Sequence, residues 1–188
     1  MVLPPSNAVL VLIDVQYAID DPSWGRRNNP DAEEKIAALL HEWRRRGAPI
    51  VHVKHVSREP MSTFRPGQRG VELKPECAPQ DDERIIVKHT PSAFAQTALE
   101  RVLRDELRTD ALVLTGFITN NSVETTARVA STHGFRVWVV RDATATFDRV
   151  DLAGRAWSAD DVHALSLSSL SGEYAEIVDA ATLLRAGA

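Results

Sequence analysis

The stretch Ala111–Ala130, ALVLTGFITNNSVETTARVA, reads as a strand, a tight turn and a helix in immediate succession. Ala111–Thr115 is apolar and partly β-branched, which suits a strand covered on both faces of a parallel sheet. Gly116 predicts its end. Asn120, Asn121 and Ser122 are residue types that cap helices, and Val123–Ser131 continues as a helix with Glu124 in its first turn. A side chain at such a turn sits at the carboxyl end of a strand, against the positive end of a helix. In an open α/β sheet that position suits a nucleophile or an anionic group.

Outward from this unit, strands and helices alternate. Asn7–Ile13 predicts a first strand that runs into Asp14-Val15-Gln16. Asp31–Arg46 predicts a helix capped by Asp31, stopped by Gly47, with Ile36, Leu39, Leu40 and Trp43 on one face. Ala48–Val56 and Glu83–Val87 predict the second and third strands, the latter followed by Lys88-His89-Thr90-Pro91. A helix is expected over Phe94–Leu107, a fifth strand over Phe135–Val140, and a helix over Ala159–Leu170. A short strand, Tyr174–Val178, and a last helix, Ala180–Arg185, complete the pattern. Asp20–Pro30 and Ser57–Asp82, rich in Pro, Gly and charge, read as loops. This alternation predicts an α/β fold of three layers, α/β/α, on a parallel sheet with right-handed crossovers.

The 188 residues suit one domain, 1–188, with a sizeable core. A mixed charge of net −4 without a basic block argues against nucleic acid and anionic membranes as partners. The start, MVLPPSNAVL, lacks a basic n-region and a long apolar core, so no signal peptide is expected. No apolar run reaches the roughly 20 residues of a membrane span. The single cysteine, Cys77, forbids an internal disulfide and fits a reducing cytoplasm.

Three motifs stand in order along the chain: Asp14-Val15-Gln16 after strand one, K-x-x-x-S-A-F from Lys88 to Phe94, and G-x-x-T-N-x-S-V-E-x-T-A-R from Gly116 to Arg128. Together they resemble the isochorismatase-like cysteine hydrolases, a family of nicotinamidases, amidases of carbamoyl compounds and isochorismatases proper. The resemblance runs from about Ala8 to Val178. It implies a six-stranded parallel sheet in the order 3-2-1-4-5-6, a Rossmann-like arrangement that opens strands one and four into one crevice. It also implies that Asp14 is the general base, Lys88 the lysine beside it, and Ser122 the occupant of the nucleophilic cysteine's place. The oxyanion hole would be the N–H groups of Ser122 and Ile118, next to a cis peptide at Phe117–Ile118. Homodimers or homotetramers, a small-molecule amide substrate and no cofactor are implied as well.

The chemistry explains the set. A thiol attacking an amide must lose its proton, and a carboxylate within hydrogen-bond reach can take it and return it to the leaving nitrogen. A nearby lysine holds that carboxylate ionised, and a helix N-terminus favours a thiolate. The departure falls at the centre. A serine hydroxyl is a far weaker nucleophile than a thiol, and the motifs offer no histidine to activate it. Three explanations follow: an introduced Cys-to-Ser substitution that silences the enzyme, a natural divergence towards a binding protein, or vinyl-ether hydrolysis that needs only Asp14. The first is preferred, because everything around Ser122 keeps the amidase pattern.

No metal site is expected. The nicotinamidases resembled here hold a metal through Asp and His after strand two, but His52 and His55 are three apart on a strand and face opposite ways. Only His55, near the strand's end, would approach the crevice; His89 and His163 are further pocket candidates. Trp24, Phe64 and Phe117 are expected to form an apolar substrate wall, with Gln16 as a further contact. Asp20, Asp21 and Glu72 could meet a cationic substrate, and Arg26 or Arg65 an anionic one. Carbamoyl amides, small cyclic amides and a streptothricin-type lactam stay open. Trp138, Trp157 and the Ala159–Leu170 face are candidate oligomer contacts, with core packing the alternative for Trp138.

Overall fold

A computed structural model describes residues 2–80 and 82–186; Met1, Asp81, Gly187 and Ala188, the ends of the expected domain and one residue of the second loop, lie outside the described residues. The central strand is β1 (Val9–Ile13), VLVLI, buried at every position. It pairs in parallel with β2 (Ile50–His55) on one side and β4 (Ala111–Phe117) on the other. β3 (Arg84–Lys88) extends the sheet beyond β2, and β5 (Arg136–Ala145) extends it beyond β4. β6 (Arg149–Val150) and β7 (Ala156–Trp157) form a separate antiparallel pair. β8 (Glu176–Val178) closes the large sheet beside β5. The order is β3-β2-β1-β4-β5-β8, the expected 3-2-1-4-5-6 with β8 as the sixth strand. The small pair was not legible in the sequence, since two residues are too few to show a period.

Alternation along β1 divides the core in two. Leu10 and Leu12 face α1 (Ala32–Arg45) and α5 (Ala180–Ala186), through Ile36, Leu39, Leu40, Trp43 and Leu183. Val9, Val11 and Ile13 face α2 (Leu99–Arg101), α3 (Glu124–Thr132) and α4 (Ala159–Leu170), through Leu99, Ala127, Ala130, Leu167 and Leu170. Each fully buried aliphatic side chain contributes roughly 1.5–3 kcal/mol, so both helix layers are bound tightly to the sheet. The Trp43 indole N–H also donates to the Ala8 carbonyl at 2.9 Å, fixing α1 against the start of β1. No helix among the described residues is long and apolar enough to cross a membrane.

Several boundaries differ from the sequence reading. The expected helix Phe94–Leu107 is helical only from Leu99, and its second half widens into a π-helical turn, Val102–Glu106. The Thr97 hydroxyl competes with the helix there: it donates to Ala93 O at 2.6 Å and accepts from Leu99 N at 3.2 Å. Asp31 makes no side-chain cap and instead lies 3.5 Å from Lys35 Nζ. Tyr174 and Ala175 belong to the turn after α4, both N–H groups bonding to Leu170 O, so β8 starts later. β5 runs past Val140 because pairing with β4 resumes, after a register shift, at Gly116–Thr144 and Phe117–Ala145.

Gly116 does not end β4. It lies within the strand at φ +107°, and a Cβ there would sit 2.0 Å from Ile13 O. Only glycine allows β4 to approach β1 this closely at that backbone angle. Gly116→Ala is therefore expected to abolish the cooperative thermal transition. A melting temperature within a few degrees of the parent's, measured by circular dichroism, would show that the approach can relax.

Candidate active site

Four strand ends meet at the carboxyl edge of the sheet. Asp14 directly follows β1 in a left-handed conformation, φ +53°, which short polar side chains tolerate better than most. Its N–H donates to Val53 O at 2.9 Å, tying the turn to β2. Lys88 is the last residue of β3 and pairs with His55 at the end of β2. Ser122 lies in a π-helical turn, Thr119–Val123, between β4 and α3. It is thus inside the first wide turn and caps nothing by its side chain.

The Lys88 side chain is fully buried and gathers the site. Its Nζ is 2.7 Å from Asp14 Oδ2 and donates to Ser122 Oγ at 3.1 Å and to Thr90 O at 3.1 Å. His55 Nδ1 lies 3.5 Å away. The other Asp14 oxygen, Oδ1, is buried without a hydrogen-bond partner. Burial pushes the Asp14 carboxyl above its usual 3.8, against the opposing charge and hydrogen bond of Lys88. The result is a carboxylate with one oxygen anchored and the other free to take a proton beside residue 122.

The K-x-x-x-S-A-F motif has a structural reason. Ser92 Oγ accepts from Phe94 N at 3.2 Å and Ala95 N at 3.3 Å, and Ala93 N donates to Thr126 Oγ1 at 3.1 Å. The segment after Lys88 is thereby fastened to α3, behind Ser122. The Phe117–Ile118 peptide is cis, as the resemblance implied.

Asp14, Ile118 and Ser122 line a cavity of about 360 Å³ together with Trp24, Phe64 and Phe117. Trp24 meets Phe64 edge-on at 6.5 Å and stacks on Phe147 at 5.3 Å. Phe147 was missed in the sequence, because it enters from the segment after β5, far from the loops considered. His55 also lines this cavity, edge-on to Phe64 at 5.3 Å. His89 lines it too, with Nδ1 2.7 Å from Val56 O.

Other expectations need correction. Gln16 is fully buried and does not line the cavity. Its amide donates to His55 O and Val71 O at 2.9 Å each and accepts from His55 N at 2.7 Å. It positions the end of β2 and has no free group for a substrate. Arg26 reaches Asp160 at 2.7 Å and Asp148 at 3.4 Å, outside the cavity. Asp20, Asp21 and Arg65 line a separate groove of about 710 Å³, and Glu72 lines neither. Asp20 also pairs with Lys74 at 2.7 Å. Lys74 in turn meets Glu33, which holds Arg27 over the Phe117 ring. His52 is buried against Glu83 at 2.7 Å, and His163 bonds to Thr119 Oγ1 at 2.9 Å, bracing the turn from α4. Among the described residues no group of three or more His, Cys, Asp or Glu side chains gathers as a metal site. Trp138 is core, with its N–H on Val2 O at 2.7 Å.

Residues 8–182 match the isochorismatase domain, and the chain belongs to that family of hydrolases. It is 39% identical over 170 residues to the isochorismatase-family protein YrdC of Bacillus subtilis (strain 168), with 90% of each chain covered. It is 33% identical to a streptothricin hydrolase of Streptomyces noursei, over 91% of this chain and 65% of that one. The crystal structure of an isochorismatase-family protein from Chromobacterium violaceum ATCC 12472 superposes with a TM-score of 0.94 at 48% identity, covering 100% of this chain and 98% of that one.

The coupling of Asp14 to Lys88 is directly testable. Lys88→Met leaves a buried carboxylate without its partner and is expected to cost about 3–5 kcal/mol of stability. Adding Asp14→Asn should recover part of that loss. Denaturant midpoints of both single variants and the double variant measure the coupling, and purely additive losses would show there is none.

Proposed function

We propose that this chain is built to hydrolyse a non-peptide C–N bond, in an amide, lactam or carbamoyl group of a small molecule, by Cys/Asp/Lys chemistry that Ser122 holds silent. The observation that carries the proposal is the single Lys88 ammonium shared between Asp14 and Ser122, with Asp14 Oδ1 left unpartnered. With a thiol at position 122, Asp14 takes its proton and the sulfur attacks the carbonyl carbon. The N–H groups of Ile118 and residue 122 receive the negative oxygen. Asp14 then returns the proton to the leaving nitrogen, and water, deprotonated by the same carboxylate, releases the acid from the thioester as the C–S bond breaks and the proton passes back to the sulfur. Lys88 holds the carboxylate in place throughout.

With serine present the same geometry lacks a competent nucleophile. No other thiol replaces it: Cys77 is buried away from the cavity, and burial pushes its thiol up to about 12. The named activity of the Streptomyces noursei relative favours a lactam among the possible substrates. Trp24, Phe64 and Phe117 would hold the flat face of such a group. A second reading is hydrolysis of a vinyl ether, as an isochorismatase would perform it, with Asp14 as proton donor; its raised pKa favours that role. We further propose a homodimer or homotetramer in the reducing cytoplasm, joined through the α4 face where Leu165 is 67% exposed beside Trp157.

Ser122→Cys is expected to gain turnover of a panel of small amides, carbamoyl compounds and lactams, followed as ammonia or amine release, while the present chain shows none. Asp14→Asn in the cysteine background should remove it. Because Asp14 must be deprotonated to act as base and its pKa is raised, the acid limb of kcat/KM should lie above pH 3.8. No turnover by the cysteine form overturns the amidase proposal. Turnover of isochorismate by the serine form, unchanged by Ser122→Cys, establishes the second reading instead.

A further inference from the structure

One ring in the cavity has no part in the chemistry proposed above. His55 ends β2, and its main chain is clamped from both sides by Gln16, whose amide accepts from His55 N and donates to His55 O. Its ring lies edge-on to Phe64, with centroids 5.3 Å apart and planes at 80°. Position and orientation are therefore set before any ligand arrives, as a recognition group requires.

The ring's neighbours also decide its tautomer. His55 Nδ1 is 3.5 Å from the Lys88 ammonium, whose positive charge attracts a lone pair and repels an N–H. The nitrogen facing it must present a lone pair. Burial, with the positive charge of Lys88 and the nearby His89, presses the His55 pKa down to about 4, so the ring is neutral at physiological pH. In a neutral imidazole with its lone pair on Nδ1, the proton is on Nε2. That Nε2 has no hydrogen-bond partner among the described residues and is not among the buried unpaired atoms, while the residue lines the cavity. The site thus holds a fixed, uncharged donor among Trp24, Phe64 and Phe117.

We propose that His55 selects the substrate: its Nε2–H donates to a second acceptor on a planar amide, a carbonyl oxygen or ring nitrogen apart from the scissile carbonyl. The inference rests on the amidase reading for the place of the scissile bond, and it adds the class of molecule taken, amides with a second in-plane acceptor such as imides. An amide lacking that acceptor would bury the Nε2–H unpaired and bind less well.

Two replacements separate the ring's nitrogens. His55→Asn keeps an acceptor near the place of Nδ1 and loses the donor, whereas His55→Gln brings an amide N–H near the place of Nε2. Glutarimide and 2-piperidone, cyclic amides differing by one carbonyl, are the probes. Calorimetric binding to the serine-122 chain should favour glutarimide by roughly tenfold. His55→Asn should erase that preference and His55→Gln should keep most of it. In the Ser122→Cys background the same pattern should appear in KM, with kcat changed by less than about twofold. A binding preference that depends on His55 in a chain whose cysteine form turns over no amide would sink the amidase reading and leave this inference standing. The inference is overturned if neither probe binds or neither is preferred, or if the preference survives His55→Asn. A fall in kcat with unchanged KM in both variants overturns it too, since His55 would then merely position Lys88.

Discussion

The buried ion pair between Lys88 and Asp14 is the contact on which the site depends. Removing two charges from water is costly, and their attraction offsets that cost only with close geometry and further hydrogen bonds. The structure supplies both: a 2.7 Å contact, with the remaining ammonium protons directed to Ser122 Oγ and Thr90 O. Left over is one carboxylate oxygen, Oδ1, buried and unpartnered. Such an atom is a standing cost to stability, and active sites are where such costs persist.

The sheet exists, in this sense, to bring four strand ends together. β1 delivers Asp14, β2 His55, β3 Lys88 and β4 the turn that carries Ser122. The order with β1 and β4 adjacent makes the crevice, and Gly116 lets those two strands close on each other. Around them lie polar contacts that reach no substrate. Gln16 fixes the end of β2, Thr119 and His163 brace the turn from α4, and Ser92 with Thr126 ties the segment after Lys88 to α3. On the outer side Arg27, Glu33, Lys74 and Asp20 form a partly buried chain of charges beneath Phe117. Burial opposes ionisation of Glu33, yet its bonds to Arg27 and Lys74 together hold its carboxyl below the usual range. That chain keeps the aromatic wall and the loop bearing Trp24 on one support.

On the proposed reading, Ser122 differs by one atom from the thiol that the chemistry would use. Its hydroxyl accepts from Lys88 where a thiolate would have received stronger support from the same ammonium. On that reading the same ammonium would serve an anion at position 122, which an alcohol does not supply at ordinary pH.

The sequence by itself determined the α/β layering, because short apolar runs and helical stripes are local properties of the chain. It also marked Asp14, Lys88 and Ser122, because their flanking motifs resemble a family whose chemistry sets an aspartate, a lysine and a cysteine at those places, with serine here in the third. Tertiary structure alone decided the rest. Gln16 stands two residues after Asp14, a spacing that an unbroken strand would put on one face, yet it faces the main chain of β2, because the left-handed turn at Asp14 ends the strand and redirects the chain. Phe147 reached the aromatic wall, and Arg26 and Arg65 left the cavity, through loop paths that no periodicity encodes. Gly116 looked like a strand's end because glycine punctuates chains, but the constraint on it is the Ile13 carbonyl, 103 residues away in sequence. A residue's chemistry can be read from its type; what it touches is set by the strands that the sheet places beside it.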